Sequence, residues 1–106
     1  MINRPVGEAI SSFVAERDWA QFHTPENLAK SISIEAGELL ECFQWGGGGN
    51  RVAIQDELAD VLTYCLLLAD RLGLDPDEIV LAKLRRTAEK YPVDRARGRS
   101  DKYDQL

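Results

Sequence analysis

The chain has 106 residues, room for one domain, and its 44% hydrophobic and 29% charged residues describe a folded protein rather than a disordered one. A net charge of −5 excludes a general nucleic-acid-binding face, yet is compatible with a small phosphorylated ligand carried on a cation. The longest apolar run, Val61 to Ala69, is too short to span a bilayer, and Met-Ile-Asn-Arg-Pro-Val-Gly-Glu lacks the apolar core of an export signal, so a cytoplasmic location is expected.

Val6, Ala9, Ile10, Phe13 and Val14 repeat at helical spacing and predict a first helix over Pro5 to Asp18. A connector with Trp19, Phe22 and His23 follows. Thr24 is a good N-cap, with Pro25 at the first helical position and Glu26 beside it, so a second helix runs from Pro25 to about Gln44. Gly46-Gly47-Gly48-Gly49 ends it in a flexible turn. A glycine-rich loop can cradle phosphate, but this one has no Lys-Ser/Thr after it and no strand before it.

Asn50 caps a third helix that continues to Leu72 and stops at Gly73. Its second half, Val61 to Ala69, is apolar almost all round, which implies burial on every side and hence an oligomer interface. Asp75-Pro76-Asp77-Glu78 starts a fourth helix that reaches Lys90. After Tyr91-Pro92 no apolar periodicity remains, and residues 93–106 are expected to form an extended or disordered polar tail behind a catalytic domain of residues 1–92. Cys42 and Cys65, without CxxC spacing, are expected to be buried free thiols of a reducing compartment.

Two acidic pairs carry the chemistry. Glu35 and Glu38 lie three residues apart on one face of the second helix, and Glu57 and Asp60 repeat the spacing on the third. Acids so spaced commonly form a solvated face; here they are set among Ile34, Ala36, Leu39 and Leu40, with only Lys30 and Lys83 placed to neutralise them. Clustered carboxylates repel unless protonated or bridged by a cation. An all-oxygen set suits Mg²⁺, with Mn²⁺ a possible substitute, rather than zinc, and Mg²⁺ typically binds carboxylates together with substrate phosphates. Trp45, Trp19 and Phe22 can stack on a base or serve as core and interface aromatics. Lys83 and Lys90 can reach phosphate oxygens or remain surface lysines, and the tail arginines can reach a phosphate or a neighbouring subunit or stay solvated.

The residues together resemble a known family. Glu35-x-x-Glu38 followed by Glu57-x-x-Asp60 is similar to the paired acidic motif of the MazG-like, all-α nucleoside triphosphate pyrophosphohydrolases. Glu16-Arg17-Asp18-Trp19-x-x-Phe22-His23-x-Pro25-x-Asn27-Leu28, Phe43-Gln44-Trp45, Glu57-Leu58-x-Asp60-Val61-Leu62-x-Tyr64, Lys83, Tyr91-Pro92 and Lys102-Tyr103-x-x-Leu106 resemble its dCTP pyrophosphatase branch in particular. The resemblance implies an all-α four-helix bundle completed by oligomerisation into a homodimer or homotetramer, with sites between subunits. It implies Mg²⁺-dependent hydrolysis of a (deoxy)nucleoside triphosphate, dCTP or a modified dCTP, to the monophosphate and pyrophosphate, which cleans the nucleotide pool.

On the same resemblance Glu35, Glu38, Glu57 and Asp60 are the metal-binding and catalytic residues. Trp19, His23, Asn27, Trp45, Tyr64, Lys83, Thr87, Lys90 and Tyr91 form the substrate-binding set, with the tryptophans around the base, Tyr64 near the sugar and Lys83 on phosphate. No polymeric nucleic acid and no membrane are expected as partners. Three positions depart from the branch: Ile10 replaces a histidine near the base, Thr87 replaces a phosphate-contacting asparagine, and the glycine loop is shorter. A non-catalytic helical oligomer that binds nucleotide or a protein partner is the alternative, and an enzyme of this fold acting on another phosphorylated metabolite is a third.

Overall fold

Short polar side chains set where the helices begin. In the computed structural model, which describes residues 4–46 and 48–106, Thr24 Oγ1 accepts from the Asn27 amide at 3.1 Å and opens α2, Pro25–Glu41. Asn50 Oδ1 accepts from Val52 at 2.9 Å and Ala53 at 3.3 Å, opening α3, Arg51–Arg71. Asp75 Oδ1 accepts from Asp77 at 2.9 Å, opening α4, Pro76–Lys90. Each cap satisfies amides that the first helical turn leaves without partners.

The first helix, α1, spans Arg4–Glu16. It ends on Asp18, whose φ of 51° makes it the non-glycine residue in the left-handed region among those described. The amides of Asp18 and Trp19 donate back to Ala15 and Val14 at 3.1 and 3.2 Å, and Gln21 Nε2 donates to the Asp18 carbonyl at 3.0 Å. This reversal leads into a single 3-10 turn, Ala20–Phe22.

The second helix ends sooner than its sequence suggests. Regular α-helix stops at Glu41, and Cys42 to Gln44 tighten into 3-10-type turns in which their amides donate to Leu39, Leu40 and Glu41. Gly49 has a φ of +55°, and its Cα lies so near the Cys42 carbonyl oxygen that a Cβ there would collide with it.

The architecture is all-α, with no strand among the described residues. α2 and α3 pack along their length as a helical hairpin, α1 lies more lightly against α3, and α4 makes little contact with the other long helices. The Cα radius of gyration is 17.1 Å, against about 13 Å for a compact domain of this length. Among the described residues, Val14, Leu28 and Ala69 are the buried apolar side chains, whereas Ile79, Val80, Leu81 and Leu84 of α4 all lie exposed. No described helix is long and apolar enough to cross a membrane.

Two expectations need revision. The tail is ordered rather than extended: Val93–Ala96 form a short helix, α5, and Tyr103–Gln105 a 3-10 turn. Arg99 Nε donates to Asp101 Oδ2 at 2.9 Å and its Nη2 to the Gln105 carbonyl at 3.2 Å, while the Tyr103 and Tyr91 rings meet edge to face. The polar contacts within the tail and the Tyr91–Tyr103 ring contact across twelve residues follow no apolar period, so they leave no periodic pattern. The two cysteines are free thiols, but Cys65 is exposed and Cys42 half-buried, because the apolar sides of α2 and α3 are incompletely covered.

Candidate functional site

The α2–α3 hairpin joins the two acidic pairs. Carboxylate oxygens of Glu35, Glu57 and Asp60 lie within 4.8 Å of one another. Glu35 Oε2 and Glu57 Oε2 are shielded from solvent and have no hydrogen-bond partner. Glu38, more exposed, places its carboxyl against both glutamates.

The electrostatics follow from that crowding. Glu35 is pushed up to about 7, chiefly by the hydrogen bond it shares with Glu38, then by shielding and by the charges of Glu38, Asp60 and Glu57. Glu57 is raised first by burial and then by its contacts with Glu38 and the charge of Asp60. Neither candidate counter-ion relieves the cluster. Lys30 pairs with Glu26 at 3.3 Å, and Lys83 stands on α4. A shielded carboxylate oxygen without a donor is costly. A hard divalent cation is the group whose chemistry answers that need with these ligands, and the residues fit it.

Beside the acids lies a cavity of about 380 Å³. Trp19, His23, Asp60 and Tyr64 line it, so residues from the connector and α3 that the sequence singles out meet in one place. Trp19 is held by an edge-to-face contact with Phe13 at 5.6 Å, and the Arg17 guanidinium sits 3.7 Å from the Phe13 centroid. Asn27 Nδ2 donates to the Phe22 carbonyl at 3.0 Å, which ties the Trp19–His23 connector to the start of α2.

The remaining candidates are not gathered there. Trp45 is 91% exposed beyond the end of α2. Lys83, Thr87, Lys90 and Tyr91 ride on α4 or its end; Thr87 Oγ1 donates to the Lys83 carbonyl, Lys90 Nζ lies 4.8 Å from the Tyr103 centroid, and the Tyr91 hydroxyl accepts from the Tyr103 amide. The wall that α1 contributes, from Ala9, Phe13 and Val14, is absent from the sequence-derived site. Its signal was the apolar stripe of α1, which reads as core until the helix is found at the cavity.

Comparison with known proteins gives the chain's family. Residues 30–106 match the MazG-like family. Human dCTP pyrophosphatase 1 (Homo sapiens) is 42% identical over 106 aligned residues, and the rat protein (Rattus norvegicus) 41%; each alignment covers 91% of this chain and 62% of the relative. The chain thus spans 62% of the length of these curated relatives. A pyrophosphatase from Archaeoglobus fulgidus, known from its crystal structure, is 39% identical with a TM-score of 0.76, covering 80% of this chain and 87% of that one. The family match over most of the chain, together with the helical fold shared with a solved pyrophosphatase, makes the chain a member of the MazG-like family.

Proposed function

We propose that this chain is a nucleoside triphosphate pyrophosphohydrolase that uses Mg²⁺, or Mn²⁺ in its place, on dCTP or a modified dCTP. The observation that carries the reading is the carboxylate cluster of α2 and α3, with two shielded oxygens that lack any donor. The likeness to proteins named dCTP pyrophosphatase and pyrophosphatase supports the reaction, and the adjoining aromatic cavity supports a nucleoside as the group held.

Glu35, Glu57 and Asp60, with Glu38 beside them, would hold the divalent cation, which supplies neutralisation of the triphosphate charge. The chain's own residues do the rest. Trp19 offers a stacking face, His23 and Tyr64 offer hydrogen-bonding groups at the cavity, and Asn27 keeps the connector in place. A carboxylate oxygen of the cluster accepts a proton from the attacking water. The α–β phosphoanhydride bond breaks as the new phosphorus–oxygen bond forms, which yields monophosphate and pyrophosphate.

The active form is a homodimer or homotetramer. Few buried apolar side chains, the bare apolar side of α4 and the large radius of gyration support assembly. Assembly also gives Lys83, Thr87, Lys90, Tyr91 and Trp45 a route to the carboxylates of another copy. Free thiols and a dNTP substrate agree with a cytoplasmic location.

The test is pyrophosphate release from a panel of dNTPs and NTPs, with Mg²⁺ and with EDTA. Mg²⁺-dependent release that is strongest for dCTP or its 5-substituted forms supports the reading in full. Absence of release from every nucleotide refutes it and leaves the non-catalytic binding module.

A further inference from the structure

The basic residues gather toward one end of the chain. Residues 83–102 hold eight of the thirteen lysines and arginines but three of the eighteen acidic residues, whereas the carboxylate cluster lies on α2 and α3. A triphosphate bound to one divalent cation still carries net negative charge, and lysine and hydroxyl donors can meet it.

Within that stretch and its end, Tyr103 contacts two side chains that could serve as such donors. Its ring meets the Tyr91 ring edge to face at 6.2 Å, and the Lys90 ammonium lies 4.8 Å from its centroid. Its amide donates to the Tyr91 hydroxyl at 3.2 Å. That bond uses a lone pair of the hydroxyl and leaves its proton, which has no acceptor among the described residues, to be donated outward. A hydroxyl that accepts from an amide is also polarised into a better donor. The ammonium turns one side to the ring and keeps N–H groups for an anion. Tyr103 is itself held. Arg99 donates to Asp101 at 2.9 Å and to the Gln105 carbonyl at 3.2 Å, two residues to either side, and so clamps the turn that carries the ring.

Resting on the nucleotide pyrophosphohydrolase reading, we infer that Tyr103 is a positioning residue, which holds the Tyr91 hydroxyl and the Lys90 ammonium as a preformed pair of donors for the pyrophosphate part of the triphosphate. Tyr103 makes no bond to phosphate itself. Its contribution is the freedom it removes from Lys90 and Tyr91 before the ligand arrives. Fixing one long side chain in advance is worth about two- to tenfold in affinity. The pair meets the same phosphate groups in substrate and in released pyrophosphate, so its loss falls on KM and on product affinity rather than on kcat.

The experiment measures kcat and KM for dCTP with Mg²⁺, and the Kd of Mg²⁺-pyrophosphate by titration calorimetry, on the full chain, Tyr103→Leu and Tyr103→Phe. Tyr103→Leu should raise KM and Kd by about two- to tenfold and leave kcat within about twofold. Tyr103→Phe keeps both the ring and the amide and should match the wild type. In a Lys90→Ala background the effect of Tyr103→Leu should shrink by about half or more, because the ring then has less to position. A Tyr103 that only supports the fold lowers Tm and leaves both constants unchanged. That result, or an undiminished effect in the Lys90→Ala background, or equal losses in Tyr103→Leu and Tyr103→Phe, overturns the inference. Should Tyr103→Leu fail to fold, Arg99→Ala is read in its place, since it frees the turn without altering the ring; the same rise is expected, and unchanged constants are decisive against it. Pyrophosphate binding separates the two readings. A wild type that hydrolyses no nucleotide refutes the pyrophosphohydrolase reading, and the Kd of pyrophosphate in Tyr103→Leu then judges the positioning. Neither hydrolysis nor pyrophosphate binding overturns both.

Discussion

On the proposed function, protons and a divalent cation compete for the same oxygens on α2 and α3, so metal binding must depend on pH. Glu35 titrates at about 7 in the folded chain, against an ordinary 4.5. Between those values the folded chain holds a proton that the unfolded chain has released. The stability this proton confers on the metal-free protein is fully present below pH 4.5 and is lost as pH rises through about 7. A cation must expel the proton to gain the oxygen. Glu35 is about nine-tenths protonated at pH 6 and about one-tenth at pH 8, so apparent metal affinity should rise about tenfold across that interval.

Titration calorimetry of Mg²⁺ into nucleotide-free protein, in two buffers of different ionisation heat, reads both affinity and proton release. We expect at least about 0.9 proton released per site at pH 6 and far less at pH 8. The raised Glu57 adds to the release at the lower pH. Thermal unfolding supplies the sign independently: without metal, Tm should fall from pH 5 to pH 8, and saturating Mg²⁺ should restore most of the loss. Equal affinities at pH 6 and 8 with no proton release would show that the carboxylates are not the ligands.

Other perturbations probe separate parts of the molecule. Glu38→Gln keeps the shape but removes a charge that bears on both shielded glutamates; pyrophosphate release should fall by about a hundredfold or more while helical circular dichroism is retained. Gly49→Ala should destabilise the fold by more than about 1–2 kcal/mol in urea denaturation, because left-handed strain adds to the collision with the Cys42 carbonyl, whereas Gly48→Ala meets open space and should be nearly neutral. Asn50→Ala leaves the Val52 and Ala53 amides without their cap and should cost about 1 kcal/mol in the same assay. Leu84→Lys places a charge on the exposed apolar side of α4, and size-exclusion chromatography with light scattering should show wild-type oligomers replaced by monomers; an unchanged assembly would move the interface off α4.

What was legible in the sequence was local. Thr24, Asn50 and Asp75 announce helix starts because an N-cap bonds to amides two or three residues ahead, within the same few letters. The spacing within each acidic pair is legible for the same reason. Their convergence follows once a short glycine loop forces α2 and α3 into one hairpin. The left-handed Asp18, which turns Trp19 back onto Phe13, carried no such mark, since nothing in Arg17-Asp18-Trp19 distinguishes this turn from a continuing helix end.

The tail and α4 expose the limit more clearly. Tyr103 reaches Tyr91 across a stretch with no apolar period, so pattern reading sees only polarity there. The residues on α4 offered as phosphate contacts do not line the cavity beside the carboxylates. On the assembly proposed above, their placement depends on how copies meet. That information lies in the shape of an interface, of which the sequence displays only the raw material, Ile79, Val80, Leu81 and Leu84 left bare on α4. The same exposed row makes the reading testable. If Leu84→Lys yields a folded monomer, loss of turnover with Mg²⁺ affinity retained would assign the phosphate contacts to a second copy. Full turnover by that monomer would instead require α4 to reach the hairpin of its own chain.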